Sequence, residues 1–131
     1  MLSSHTLSVA IPRNWMDLYE TIWKPEFFSK WASALSQTPL EKDGSVWRGK
    51  GPMGDVKIRF TDHNPFCIMD YTVDMGLSKE LFVPMRIVAN GAGSQVLLTV
   101  FRQPLLSDER FQQELEAAKR DLATLHALLT T

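Results

Sequence analysis

The chain of 131 residues is predicted to be an α+β protein in which a curved, seven-stranded antiparallel sheet wraps around a long C-terminal helix, with two short helices after strand 1. Three observations predict this. Phe111, Leu115, Ala118, Leu122, Leu125 and Leu129 recur at alternating steps of four and three, which places them on one stripe of a helix within Ser107–Thr131. From Gln37 onward the hydrophobic period changes to two, the period of strands. No second long helix is available to cover the stripe, so a sheet must receive it. At ~1.5 Å per residue the helix is roughly 33 Å long, and seven strands at ~4.8 Å span roughly 29 Å, so one helix can cross the sheet.

Each element follows from local signals. His5, Leu7, Val9 and Ile11 alternate with Thr6, Ser8 and Ala10, a half-buried strand ending at Pro12. Asn14 caps a short helix from Trp15 to about Trp23, with Asp17 three residues on and Met16, Tyr19, Ile22 and Trp23 expected to face inward. Lys24-Pro25 breaks it, and Pro25 opens a second short helix through Phe27, Phe28 and Trp31. Further strands are expected near Thr38–Lys42, Ser45–Lys50, Val56–His63, Phe66–Met75, Leu81–Ala89 and Gln95–Gln103. Their links are turn formers: Asp43-Gly44, Gly51-Pro52-Met53-Gly54, Asn64-Pro65 and Asn90-Gly91-Ala92-Gly93. Short links of this kind imply an antiparallel meander. Pro84 interrupts its strand and marks an edge or a bulge. Ser107 is the expected N-cap of the long helix, with Asp108 and Glu109 in the first turn where the helix dipole favours carboxylates.

Composition bounds the function. The length fits a single domain, residues 1–131, with 44% hydrophobic and 22% charged residues. A net charge of −1 argues against nucleic acid as a partner. The lone Cys67 excludes an intramolecular disulfide and a multi-cysteine metal site, and no cofactor is expected. Neither a secretory signal nor a run of ~18 apolar residues is apparent, so no membrane span is expected and a cytoplasmic location is.

Ile11-Pro12 before Trp15, Trp31 closing the second helix and the Gly51-Pro52-Met53-Gly54 turn resemble the START-like helix-grip (SRPBCC) superfamily. Val83-Pro84-Met85-Arg86, Asn90-Gly91-Ala92-Gly93-Ser94, Phe101-Arg102-Gln103-Pro104, Ser107-Asp108-Glu109 and Asp121-Leu122 are similar to its bacterial polyketide cyclase/dehydrase-like branch. The resemblance covers essentially the whole chain. It implies a helix-grip fold with an elongated apolar cavity between sheet and long helix, binding lipids, sterols, polyketides or aromatic compounds; some members are enzymes and some bind protein partners.

The residues themselves name no reaction. There is no GxSxG elbow and no HExxH, and His5 and His63 are expected to be solvated strand ends. Cys67 reads as a buried, inert thiol. Trp31, Trp47, Phe60 and Tyr71 form the expected aromatic lining of a ligand site. Met85, Leu98 and Leu122 join it from the inward faces of two strands and the helix stripe, and His126 flanks that stripe. Ser45 and Gly49 are expected to leave room beside Trp47. Arg86 and Arg102 are watched as polar residues: parity sets Arg86 opposite the inward face unless Pro84 re-aims it, and Arg102 ends an inward face at a pocket mouth or in an ion pair with an acid such as Asp121, the pairing being favoured. The leading expectation is a binder of a small apolar or aromatic molecule, acting as a monomer or homodimer. A metal-free cyclase or dehydratase, with Tyr71 and His126 as proton-transfer groups, is the alternative, and a protein-partner module is a third.

Overall fold

A computed structural model describes residues 1–76 and 80–130; Thr131, the end of the predicted helical stretch, lies outside the described residues. The elements run β1 (Ser4–Ile11), α1 (Trp15–Ile22), α2 (Pro25–Phe28), β2 (Glu41–Asp43), β3 (Val46–Gly51), β4 (Gly54–Phe60), β5 (Tyr71–Asp74), β6 (Glu80–Val83), β7 (Met85–Asn90), β8 (Gly93–Phe101) and α3 (Asp108–Thr130). The class is α+β as predicted. In place of one seven-stranded sheet, however, the described strands form a three-stranded sheet, β1-β8-β7, and a five-stranded sheet, β2-β3-β4-β5-β6, all antiparallel.

Proline and a side-chain knot cause the differences. Pro84 has no N–H to donate, so the predicted strand Leu81–Ala89 divides into β6, which pairs with β5, and β7, which pairs with β8. The Pro84 carbonyl accepts the Thr99 N–H at 3.0 Å and stitches the two sheets at their seam. Upstream, the Asn64 carboxamide accepts the N–H groups of Phe66 and Ile68 and donates to the carbonyls of Asp62 and Ile68. Cys67 sits in the left-handed region, φ 56°, and the turn leaves Phe66 74% exposed. The predicted strand Phe66–Met75 therefore shrinks to β5, while Met69 and Asp70 reach across to Met85. At the other sheet edge, Pro39 interrupts the predicted strand Thr38–Lys42. Gln37 and Thr38 still bond to Lys50, and regular pairing resumes only in β2.

The helices follow their caps. The Asn14 side chain accepts the N–H groups of Met16 and Asp17 at the start of α1. The buried face of α1 is Leu18, Tyr19 and Ile22. Met16, expected inward, is 56% exposed, because at about 100° per residue it lies about 200° round the helix from Leu18. Ser107 Oγ accepts the Arg110 N–H at 3.1 Å and caps α3. Leu115, Leu122, Leu125 and Leu129 are buried as the stripe requires, and α3 packs most closely on β1. No described helix is long and apolar enough to cross a membrane.

The stretch between α2 and β2 lies tightly on β3. A Cβ on Gly51 would stand 2.7 Å from the Leu35 carbonyl oxygen, and one on Gly49 would meet Leu40 at 2.7 Å and Ser36 at 2.9 Å. The room expected beside Trp47 is thus occupied by Leu40 and Ser36. Gly51→Ala must displace backbone, not a flexible side-chain tip, and is expected to cost about 1–3 kcal/mol. A thermal midpoint equal to that of the wild type would show that the 35–38 stretch yields freely.

Candidate functional site

Where α1 ends, Ile22, Trp23 and Lys24 face the junction of the two sheets across a narrow cleft. Phe28 and Trp31 form its roof. Phe60 and Thr61 from the end of β4, Tyr71 from β5, Met85 from β7 and the connecting Ile68 and Met69 form its floor and far wall. The chain builds this place through four neighbouring discontinuities: the Lys24-Pro25 helix break, the end of β4, the Asn64–Ile68 knot and the Pro84 seam. The interior is nearly full, with a free volume of about 10 Å³, room for one water-sized sphere.

Phe28 is the hub of the aromatic packing. Its ring meets Trp31 at 5.4 Å, Phe60 at 5.2 Å and Tyr71 at 5.0 Å, each edge-on. Outside, His63 covers Trp23, with ring centroids 4.7 Å apart, stacks on Tyr19 and bonds Glu20 at 2.7 Å. His63 is exposed, as expected of a strand end, yet it shields one wall of the cleft.

The polar groups here are unusual in what they lack. Trp31 is only 2% exposed, and its indole N–H has no acceptor among the described residues; the Trp23 indole N–H is equally unmatched. The Tyr71 hydroxyl makes no hydrogen bond to a described residue. Burial, reinforced by the Asp121 charge, raises its pKa. A buried N–H without an acceptor costs about 1–3 kcal/mol, so two on one cleft call for an explanation.

Asp121, named from the sequence in the resemblance and as an ion-pair partner for Arg102, is a buried acid that sequence reasoning did not foresee. It is 6% exposed, on α3. Its carboxylate accepts the Ala34 N–H at 3.3 Å and the Ser33 hydroxyl at 3.4 Å, tying α3 to the segment just beyond Trp31. Burial pushes its pKa up to about 6, against the opposing pull of those two hydrogen bonds and of Arg120. The signal was available: Asp121 lies three residues after Ala118 and four before Leu125, on the apolar stripe itself.

Trp31, Phe60, Tyr71 and Met85 of the expected ligand residues come together in the cleft. The other six do not line it. Trp47 is half-buried against Ile58 of β4. Leu98 and Leu122 are buried core, and His126 is half-buried on α3. Arg86 is exposed and bonds Asp70 at 2.8 Å, which raises its pKa. Arg102 pairs with Asp108 at 2.6 Å, not with Asp121, and also donates to the Leu106 carbonyl. An N-terminal carboxylate on α3 is within its reach; Asp121, four turns further along, is not. No residue of α3 lines the cleft, which lies under the short helices.

Neither a family model nor a curated protein matches the sequence. Solved structures do match. The protein XoxI from Bacillus cereus superposes with a TM-score of 0.77 at 15% identity, over 98% of this chain and 96% of that one. The Aha1 dimer from Colwellia psychrerythraea gives 0.73 at 12% identity, over 98% and 96%. DynU16, a protein of the dynemicin biosynthetic locus, gives 0.73 at 16% identity over 98% of this chain, which spans 47% of DynU16. The chain has the helix-grip fold. In this helix-grip protein the space under the short helices is filled by aromatic side chains, and α3 contributes its leucines to the core on the β1 side.

Proposed function

We propose that this helix-grip protein binds a small apolar or aromatic molecule in the cleft beneath Phe28 and Trp31. The observation that carries the reading is the pair of buried indole N–H groups, on Trp23 and Trp31, that line one apolar cleft without acceptors. A ligand carrying an acceptor oxygen would relieve both the cost of those groups and the exposure of the cleft mouth. Entry of such a ligand requires side-chain rearrangement, for which the lining is suited. Met69 and Met85, each with three rotatable bonds, line the floor, and α2 is a single turn of four residues. Tyr71 suits binding better than catalysis, because a hydroxyl whose pKa is raised stays protonated near neutrality and donates a hydrogen bond. The rival occupant is a single water satisfying one indole.

The probe is 2-acetylnaphthalene, followed by NMR of the indole N–H resonances. Saturable shifts of Trp23 and Trp31 are expected, with Trp47 unmoved. Trp31→Phe keeps an aromatic ring but removes the donor, and is expected to weaken binding about 3–10-fold. If no indole resonance moves saturably, the cleft holds water and no ligand.

A further inference from the structure

The polar groups around the cleft differ in depth but not in kind. Trp31, nearly fully buried, offers an N–H; Trp23, half-buried, offers another; Lys24, exposed at the rim, offers an ammonium. None of the three has a hydrogen-bond or ion-pair partner among the described residues. Thr61, the remaining polar residue of the rim, already donates its hydroxyl proton to the Asp70 carbonyl at 2.7 Å. No carboxylate lines the cleft. The acids nearby are committed elsewhere: Glu20 to His63, Asp70 to Arg86 and the Met85 N–H, and Asp121 to the Ser33 hydroxyl and the Ala34 N–H.

Each free group of the site, the Tyr71 hydroxyl included, can donate a hydrogen bond, and a cation stands at the mouth, so a molecule rich in acceptors matches it. We infer that the ligand is an organic anion: a flat apolar body with a carbonyl-type oxygen for the buried indole and a carboxylate for Lys24. This rests on the ligand-binding reading above and names its chemistry. A ligand amine would be rejected, because it would set a second cation beside Lys24 and leave both indoles unmatched. A pure hydrocarbon would fill the cleft and leave the same donors without acceptors.

Four naphthalenes of similar size test this by calorimetry: naphthalene-2-carboxylate, 2-acetylnaphthalene, 2-ethylnaphthalene and 2-(aminomethyl)naphthalene as its cation. The carboxylate is expected to bind at least about tenfold more tightly than the hydrocarbon and the cation, with the ketone between. Raising salt from 0.05 to 0.5 M should weaken the carboxylate alone, since exposed charges are screened. Lys24→Gln should lower affinity for the carboxylate about fivefold or more, and for the ketone by much less. Equal binding of all four would overturn the anion inference and leave a purely apolar cleft. A carboxylate preference untouched by Lys24→Gln would overturn the role of Lys24. Binding by none would overturn the ligand reading itself.

Discussion

Replacing Leu125 by alanine is expected to destabilise the protein by about 2–5 kcal/mol, the range for emptying a buried leucine site. Leu125 is 0% exposed and lies in the C-terminal half of the buried stripe of α3, between Leu122 and Leu129. The loss combines the transfer energy of three carbon atoms with a cavity that a stiff helix against a sheet cannot close. Urea denaturation measures it directly. Leu128, on the same helix but exposed, is the control: Leu128→Ala should shift stability by about 0.5 kcal/mol or less. Equal effects at the two positions would mean that α3 does not hold its stripe against the core.

Asp121→Asn is expected to stabilise the protein at pH 7.5 by about 2–3 kcal/mol, and to leave it unchanged at pH 4. Asp121 has a pKa of about 6 in the folded protein, against about 3.8 when unfolded. Between those values the folded state holds the proton more firmly than the unfolded chain does. Stability is therefore fully present below about pH 4, falls as pH rises through about 6, and levels off above. Burial drives the shift, and the two hydrogen bonds from Ala34 and Ser33 and the nearby Arg120 cation oppose it. Asparagine retains an oxygen for the Ala34 N–H and carries no charge, so the variant should lack this slope. Urea unfolding at the two pH values decides the matter, and a variant less stable than wild type at pH 7.5 would show that the charge itself holds the 33–34 segment in place.

Most of the frame was legible because periodicity is a local record of burial. The stripe of α3, the cap at Asn14 and the inward faces of Tyr71, Met85 and Leu98 follow from spacing alone. What was not legible depended on backbone bonds made far from the residues concerned. Pro84 announced an interruption, but whether it bends one sheet or separates two depends on the Thr99 N–H across the seam. The Asn64 side chain competes with the strand ladder for Phe66 and Ile68, and hydrophobic alternation carries no trace of that competition. Gly49 read as open space beside Trp47, yet the space belongs to Leu40 and Ser36 from a separate segment. The cleft combined both kinds of information. Four of its residues were named from strand parity and helix breaks; Trp23, with an expected inward face, Lys24 and Phe28 were assigned only to the short helices and their break, and the absence of an acceptor for an indole has no signature in sequence.

The pairing of β1 with β8 has a consequence for how the molecule is made. Thr6 and Thr99 bond across the pair although they are 93 residues apart. On a ribosome adding about 5–20 residues each second, the first strand emerges and waits on the order of 5–20 s for its partner. Through that interval Leu7, Val9 and Ile11 have no ladder to join, and the cover that α3 gives to β1 comes from residues synthesised later than β8. Contacts of such long range close slowly, since a large loop must be fixed before any of them forms. Strand β1 is thus made well before it is housed, and its alternating apolar face is the surface that nascent-chain chaperones would meet.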